Sequence, residues 1–359
     1  MSESENGTLR PLSESESESE SESESESESE SESESGLARN LPPYGYMPEK
    51  FRRELALFPL PQGFQVDGQP ATAADYTRFI DSEATRMAGF LWPVYDRASG
   101  QWTGAAAANA LALTRTDLAL MAKLRPKMSQ QVTCDGQVLP FTHGQLFSEE
   151  DESAKGTLAK YMTGLSEAVL SALGKAIDGS FIRLGPTHLR LKEKFQRPRA
   201  YQAAFLLNQP FSYEVAVSAV TPALVSGHCL QGLVVRTLGF VAQRAAITGA
   251  NDIALMQQYC VDIGDRRVFA GVHYPSDNIS SWYCGLRLCD NLFVDPQDAA
   301  AAKKFMIEAI KRSAVHAAIL QELAQDASSP YGGPMFELKH EMERAVRGPT
   351  QPLAPPPNP

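Results

Sequence analysis

Apolar residues recur at three- and four-residue steps through most of the middle of the chain. Leu158, Met162, Leu165, Val169, Leu173 and Ile177 give the plainest instance, predicting an amphipathic helix over about 153–177. Similar spacing predicts helices over roughly 72–91, 105–125, 226–246, 250–270, 276–292 and 298–325. Pro275 followed by Ser276 and Asp277 has the form of a helix start, because a proline in the first turn gives up an N–H that has no intrahelical partner. No run of alternating residues predicts strands. Residues 37–70 and 126–150, rich in proline, glycine and polar side chains, are expected to be loops or an N-terminal wrap. The fold class expected is mainly α: one helical domain over 71–330, after a wrap at 37–70 and before a C-terminal tail at 331–359.

Composition changes this picture mainly at the ends. Residues 13–35 alternate serine and glutamate without a break, which predicts a solvated, disordered arm over 1–36. Each of those serines up to Ser31 has glutamate three residues on, a pattern that acidic-directed kinases accept. The stretch from Arg347 to Pro359 is proline-rich and is expected to be disordered as well. The net charge of −10 belongs to the arm, whose 13 glutamates and one arginine leave 30 acidic and 32 basic residues for the rest. That remainder has no basic excess to suit nucleic acid. The most apolar region, 214–242, is interrupted by Ser218, Thr221, His228, Gln231 and Arg236, so it reads as core and not as a membrane span. No secretory signal precedes it, and the expected location is cytoplasmic. Five cysteines, an odd number without a CxxC pair, are expected to be buried free thiols. The pattern leaves open whether the chain forms a homo-oligomer.

Three segments share a bias towards phosphate-like ligands. Lys192 to Tyr201 is densely cationic, with Lys192 and Arg199 two helical turns apart, although Pro198 must end or kink any helix there. Ser226-Gly227-His228 opens an apolar helix. A serine cap, free backbone N–H groups and the helix's partial positive charge make such a start suited to an anion. Arg267 precedes His273 by six residues, and Asp277 follows it by four. A carboxylate at that spacing can hold one imidazole nitrogen and leave the other with its lone pair. Each segment alone is compatible with an ordinary basic face, a capped helix or a core histidine. Together, within about 85 residues, they supply the groups to neutralise a phosphate, attack it and protonate its leaving group.

These residues resemble the type 2 phosphatidic-acid phosphatase superfamily, which includes soluble class A acid phosphatases and vanadium haloperoxidases. Its pattern is a lysine, six residues and Arg-Pro; then Pro-Ser-Gly-His; then Ser-Arg, five residues, His, three residues and Asp. Lys192 and Arg199, then Ser226, Gly227 and His228, then Arg267, His273 and Asp277 match it, over about 190–290. Ala200, Val225 and Arg266 depart from it. The resemblance implies a helical bundle of the phosphatase/haloperoxidase type with its active site at the bundle end. It also implies a metal-independent phosphomonoester hydrolase whose small substrate is phosphorylated and soluble, since the membrane-embedded members carry several spans. In that reading His273 is the nucleophile, Asp277 orients it and His228 is the acid and then the base. Lys192, Arg199, Ser226, Gly227 and Arg267 bind the phosphate. No cofactor is implied, unless the same cage holds vanadate and oxidises halide. A non-catalytic phosphoanion-binding protein is the remaining alternative. His143, His188, His316 and His340 match nothing and are expected to be structural or surface residues.

Overall fold

The computed structural model describes residues 41–152, 156–216 and 218–347. The Ser-Glu arm and the residues after Arg347 lie outside the described residues. In chain order the elements are α1 (Glu49–Leu57), β1 (Gln65–Val66), β2 (Gln69–Pro70), α2 (Ala73–Phe90), β3 (Val94–Asp96), β4 (Gln101–Thr103) and α3 (Ala110–Leu124). Next come β5 (Gln131–Cys134), β6 (Gln137–Thr142), α4 (His143–Glu152), α5 (Gly156–Tyr161), α6 (Glu167–Leu184), α7 (Thr187–Phe195) and α8 (Ala200–Leu206). A composite segment follows: α9 (Gly227–Leu230), a π-helical turn (Gln231–Val235) and α10 (Arg236–Gln243). The chain then forms α11 (Ala250–Phe269), α12 (Pro275–Leu292), α13 (Pro296–Arg312), α14 (Ala314–Gln325) and α15 (Gly332–Arg347). The protein is mainly helical, as the apolar spacing predicts.

The centre is the α11–α12 pair. Every residue from Ala254 to Phe269 is buried, and so is every residue from Pro275 to Leu286. α9 packs on both helices, α13 and α14 on both, α15 on α12, and α6 against α10. The expected helix start at Pro275 is where α12 begins. The five cysteines are buried free thiols. No described helix is long and apolar enough to cross a membrane.

Several expectations are corrected by local chemistry. The helix expected over 153–177 is two helices, because Ser166 caps a new one by accepting from the Val169 N–H at 3.4 Å; residues 153–155 lie outside the described residues. The helix expected over 298–325 breaks at Ser313. There the carboxylate of Asp265 on α11 accepts from the Ser313 hydroxyl and the Ala314 N–H, both at 2.7 Å. Residues 126–150 hold an antiparallel ribbon and α4. The ribbon turns at Asp135-Gly136, both with positive φ (48° and 82°), the geometry favoured by a two-residue hairpin. The expected wrap contains α1, and the expected tail contains α15, so the helical fold extends beyond both of the predicted borders.

Candidate active site

Helix ends gather the candidate residues. α7 brings Lys192 in its last turn, and Gln196, left-handed at φ 48°, ends that helix. The chain then passes Arg197 and Pro198 to Arg199, which sits just before α8. Lys192 and Arg199 therefore come from two helices and not from one face of a single helix. Ser226 caps α9 by accepting from Cys229 N–H at 3.3 Å, which places Gly227 and His228 in the first turn. Arg267 lies in the last turn of α11. Gly271, at φ 80°, reverses the chain after that helix; a side chain there would also meet Tyr213 Cβ at 2.8 Å. The N–H groups of Val272 and His273 then fold back onto the Arg267 carbonyl at 3.0 and 3.2 Å, which delivers His273 to the start of α12.

His273 is held from both sides. Its Nδ1 lies 2.9 Å from Asp277 Oδ2, and that same oxygen accepts from the Tyr274 N–H at 3.1 Å. Nδ1 is therefore the protonated nitrogen, and Nε2 carries the lone pair. Nε2 faces Arg199 Nη1 at 2.9 Å, a donor that fixes the same tautomer. Arg199 also donates to the carbonyls of Thr221 (2.6 Å) and Val272 (2.7 Å). Lys192 Nζ donates to the carbonyls of Pro222 and Ala223. Both cations are almost wholly buried, and neither has a carboxylate partner among the described residues.

A cavity of about 130 Å³ opens at this point. Lys192, Arg199, Gly227, His228 and His273 line it, together with Phe51, His188, Leu189, Ser218, Thr221 and Gln231. Ser226, Arg267 and Asp277 stand behind that lining, and Arg267 lies over the Phe147 ring at 4.6 Å. Of the eight residues singled out in the sequence, five thus line one cavity and three support it. A wider groove of about 580 Å³, bordered by Tyr201, Phe205, Phe211 and Tyr213, has no charged side chain in its lining.

Burial and the neighbouring cations set the protonation states. Burial first, then Arg199, Lys192 and Arg267, holds His273 well below the usual imidazole range. Burial, Arg267 and His273 do the same to His228. Burial and the positive charge of Arg199 pull Lys192 well down, and burial brings Arg199 to about 10. Burial and mutual repulsion thus disfavour the charged forms of Lys192, Arg199, His228 and His273 alike.

Residues that spacing did not single out complete the site. Arg197, two positions before Arg199, is fully buried between the rings of Trp92 (4.3 Å) and Tyr274 (3.8 Å). It donates to Asp277 Oδ1, Asp117 Oδ2 and Ser276 Oγ, each at 2.8 Å. Asp117, on α3, also accepts from the Ser276 N–H (3.1 Å) and the Tyr331 hydroxyl (2.7 Å). Burial pushes the Asp117 carboxyl up, an effect that the Arg197 charge and these donors oppose. A signal for it exists: Leu113, Asp117 and Met121 fall four apart, which puts a lone carboxylate on the core face of a helix. His188, expected to be structural or at the surface, lines the cavity; it precedes Lys192 by one helical turn, which was its signal.

Of the departures from the pattern, Ala200 and Val225 are buried. Arg266 points into a separate cluster, donating to the Tyr161 hydroxyl at 2.9 Å beside Asp262 at 3.8 Å. No family model, no curated protein and no solved structure matches this chain.

Proposed function

We propose that the protein is a phosphomonoester hydrolase of the type 2 phosphatidic-acid phosphatase superfamily, acting through a phosphohistidine at His273. The observation that carries this reading is the pairing of Lys192 and Arg199, buried cations that donate only to neutral acceptors, around a histidine whose free nitrogen faces the same space. A buried cation without an anion is unstable relative to water by several kcal/mol. A dianionic phosphoryl group would supply the missing charge. The cavity of about 130 Å³ has room for one such group. The rest of the ester then projects outward.

In the first step Nε2 of His273 forms a bond to phosphorus as the bond to the leaving oxygen breaks. Arg199 shifts its hydrogen bond from Nε2 to a phosphoryl oxygen, which frees the lone pair. Asp277 stabilises the imidazolium character that develops on His273. His228 gives its proton to the leaving oxygen. Held low in the free protein, His228 takes up that proton when a dianion enters beside it, because a negative neighbour favours the charged imidazole. In the second step His228 removes a proton from water, which attacks phosphorus and releases His273 and inorganic phosphate. Lys192, Arg199 and the Gly227 N–H stabilise the charge on the equatorial oxygens, with Ser226 holding that helix start and Arg267 adding its charge from behind the lining.

The test is hydrolysis of a chromogenic phosphomonoester without added metal, run beside an assay of halide oxidation by vanadate and peroxide. Phosphate release that orthovanadate inhibits is expected. Halide oxidation without phosphate release would replace this reading with the peroxidase one.

A further inference from the structure

The cavity contains a third imidazole that the phosphatase pattern does not use. His188 sits on α7 four residues before Lys192, so the two side chains rise from the same helix face. Both line the cavity with His228 and His273. The ring is fitted to Gly227: a Cβ on that glycine would lie 2.8 Å from His188 Cδ2 and 3.5 Å from Nε2. The Cδ2 corner of the ring therefore meets the helix start that the resemblance assigns to phosphate, with Cγ and Nε2 equally distant on either side of it. The opposite nitrogen, Nδ1, is buried and has no hydrogen-bond partner among the described residues. No protein partner at Nδ1 therefore fixes the tautomer of this ring.

Resting on the phosphate reading above, we infer that His188 is a further substrate-contacting residue, donating Nε2–H to an oxygen of the bound phosphoryl group. Burial, then the charge of Lys192, pulls this imidazole down to about 3, so it enters the site neutral. A neutral imidazole has one proton to place, and its unpartnered Nδ1 makes no claim on it. An oxygen at Nε2, which can only accept, draws the proton to that nitrogen. The contact adds a directional donor without adding another positive charge to a cavity already crowded with them.

Two variants separate this role from simple packing against Gly227. His188→Phe keeps a flat ring and removes the donor; His188→Asn keeps an N–H donor in a smaller side chain. Titration calorimetry with inorganic phosphate is expected to show about 10- to 100-fold weaker binding for His188→Phe, the range of a hydrogen bond to a charged group, with most of the loss recovered in His188→Asn. In the unmodified protein, ¹⁵N spectra should show the proton settling on His188 Nε2 as phosphate saturates the site. That measurement decides the matter if His188→Phe does not fold. Unchanged phosphate affinity in a folded His188→Phe, or His188 nitrogens that do not respond at saturation, would overturn this contact and leave the phosphatase reading standing. An unmodified protein that binds no phosphate would overturn both.

Discussion

Arg197 and Arg199 are two residues apart and equally buried, yet they belong to opposite kinds of environment. Behind Asp277, Arg197 lies between two carboxylates, Asp117 and Asp277, and under two aromatic rings. In front of His273, Arg199 and Lys192 meet carbonyls, a hydroxyl and an imidazole nitrogen. The rear cluster balances the Arg197 charge within the protein and braces Asp277 behind His273. The front cluster has only the more distant charge of Asp277 to offset its own, and in the proposed function the substrate supplies the rest. Burial of a cation thus says little about its role until its acceptors are named: Arg197 pairs with carboxylates, whereas Arg199 donates to neutral groups, which in the proposed function suits it to a ligand.

The largest expected effect breaks the link between the two regions. Asp277→Asn removes the charge that holds His273 Nδ1–H and leaves Arg197 half-neutralised. Turnover of a phosphomonoester should fall on the order of 10⁴-fold, the loss seen when the carboxylate of a histidine-based triad becomes an amide. Steady-state kinetics on the purified variant would show it.

A pair of substitutions then contrasts front with rear. Asp117→Asn takes one counter-charge from Arg197, and urea denaturation should report a loss of about 3–5 kcal/mol. Lys192→Met removes a cation that has no anion, so the same experiment should report a change under about 1 kcal/mol, since the lost carbonyl bonds are offset by relief of a buried charge. Phosphate binding should weaken at least ~100-fold in Lys192→Met, as expected for a charged contact in a dry site. Equal destabilisation by both substitutions would erase the distinction.

The pH dependence sharpens the same contrast. His188, His228 and His273 at the cavity, and His143 elsewhere, are all held below the ordinary imidazole value, His188 to about 3 and His143 to about 4. In the unfolded chain they take up protons near pH 6.5, and in the folded protein only at lower pH. Through these histidines the unfolded state binds more protons between pH 6.5 and about 3, so their contribution to stability falls as pH falls, against an opposite contribution from Asp265, whose carboxyl is pushed up to about 7 by burial. Each such histidine adds a slope of about 1.4 kcal/mol per pH unit while its two states differ by one proton. Denaturation at pH 7 and pH 5 should show the loss in the free protein and a smaller loss with saturating phosphate, which favours protonated His228.

The smallest effect lies furthest back. Tyr331→Phe deletes the hydroxyl that donates to Asp117 Oδ1 at 2.7 Å. A loss of about 1–2 kcal/mol in stability with turnover within about threefold is expected, since other donors still hold Asp117.

How much of this was legible in the sequence differs between the two regions. The front was, because each of its parts is local: a cap and glycine at 226–227, a histidine and carboxylate four apart at 273–277, a lysine at the end of a helix. The helical frame was legible too, since α2, α3, α11 and α12 follow from apolar spacing. The rear was not. Asp117, Arg197 and Tyr331 are separated by 80 and 214 residues from one another's partners, and no local spacing links them. The breaks at Ser166 and Ser313 fell inside continuous apolar patterns; the second depends on Asp265, 48 residues earlier. α1 is a short amphipathic piece, α15 follows on from a Ser-Ser-Pro turn near the end of the chain, and packing against α7 and α12 respectively secures them more than their own propensity does.

The central claim is that His273 forms a covalent bond to phosphorus. A rapid alkaline quench of the protein with a ³²P-labelled phosphomonoester, followed by peptide mapping at alkaline pH, tests it most directly. The account predicts an alkali-stable, acid-labile phosphate on the peptide containing His273, absent in His273→Ala. Sustained phosphate release by His273→Ala, or turnover of the unmodified protein with label on no histidine, would contradict it.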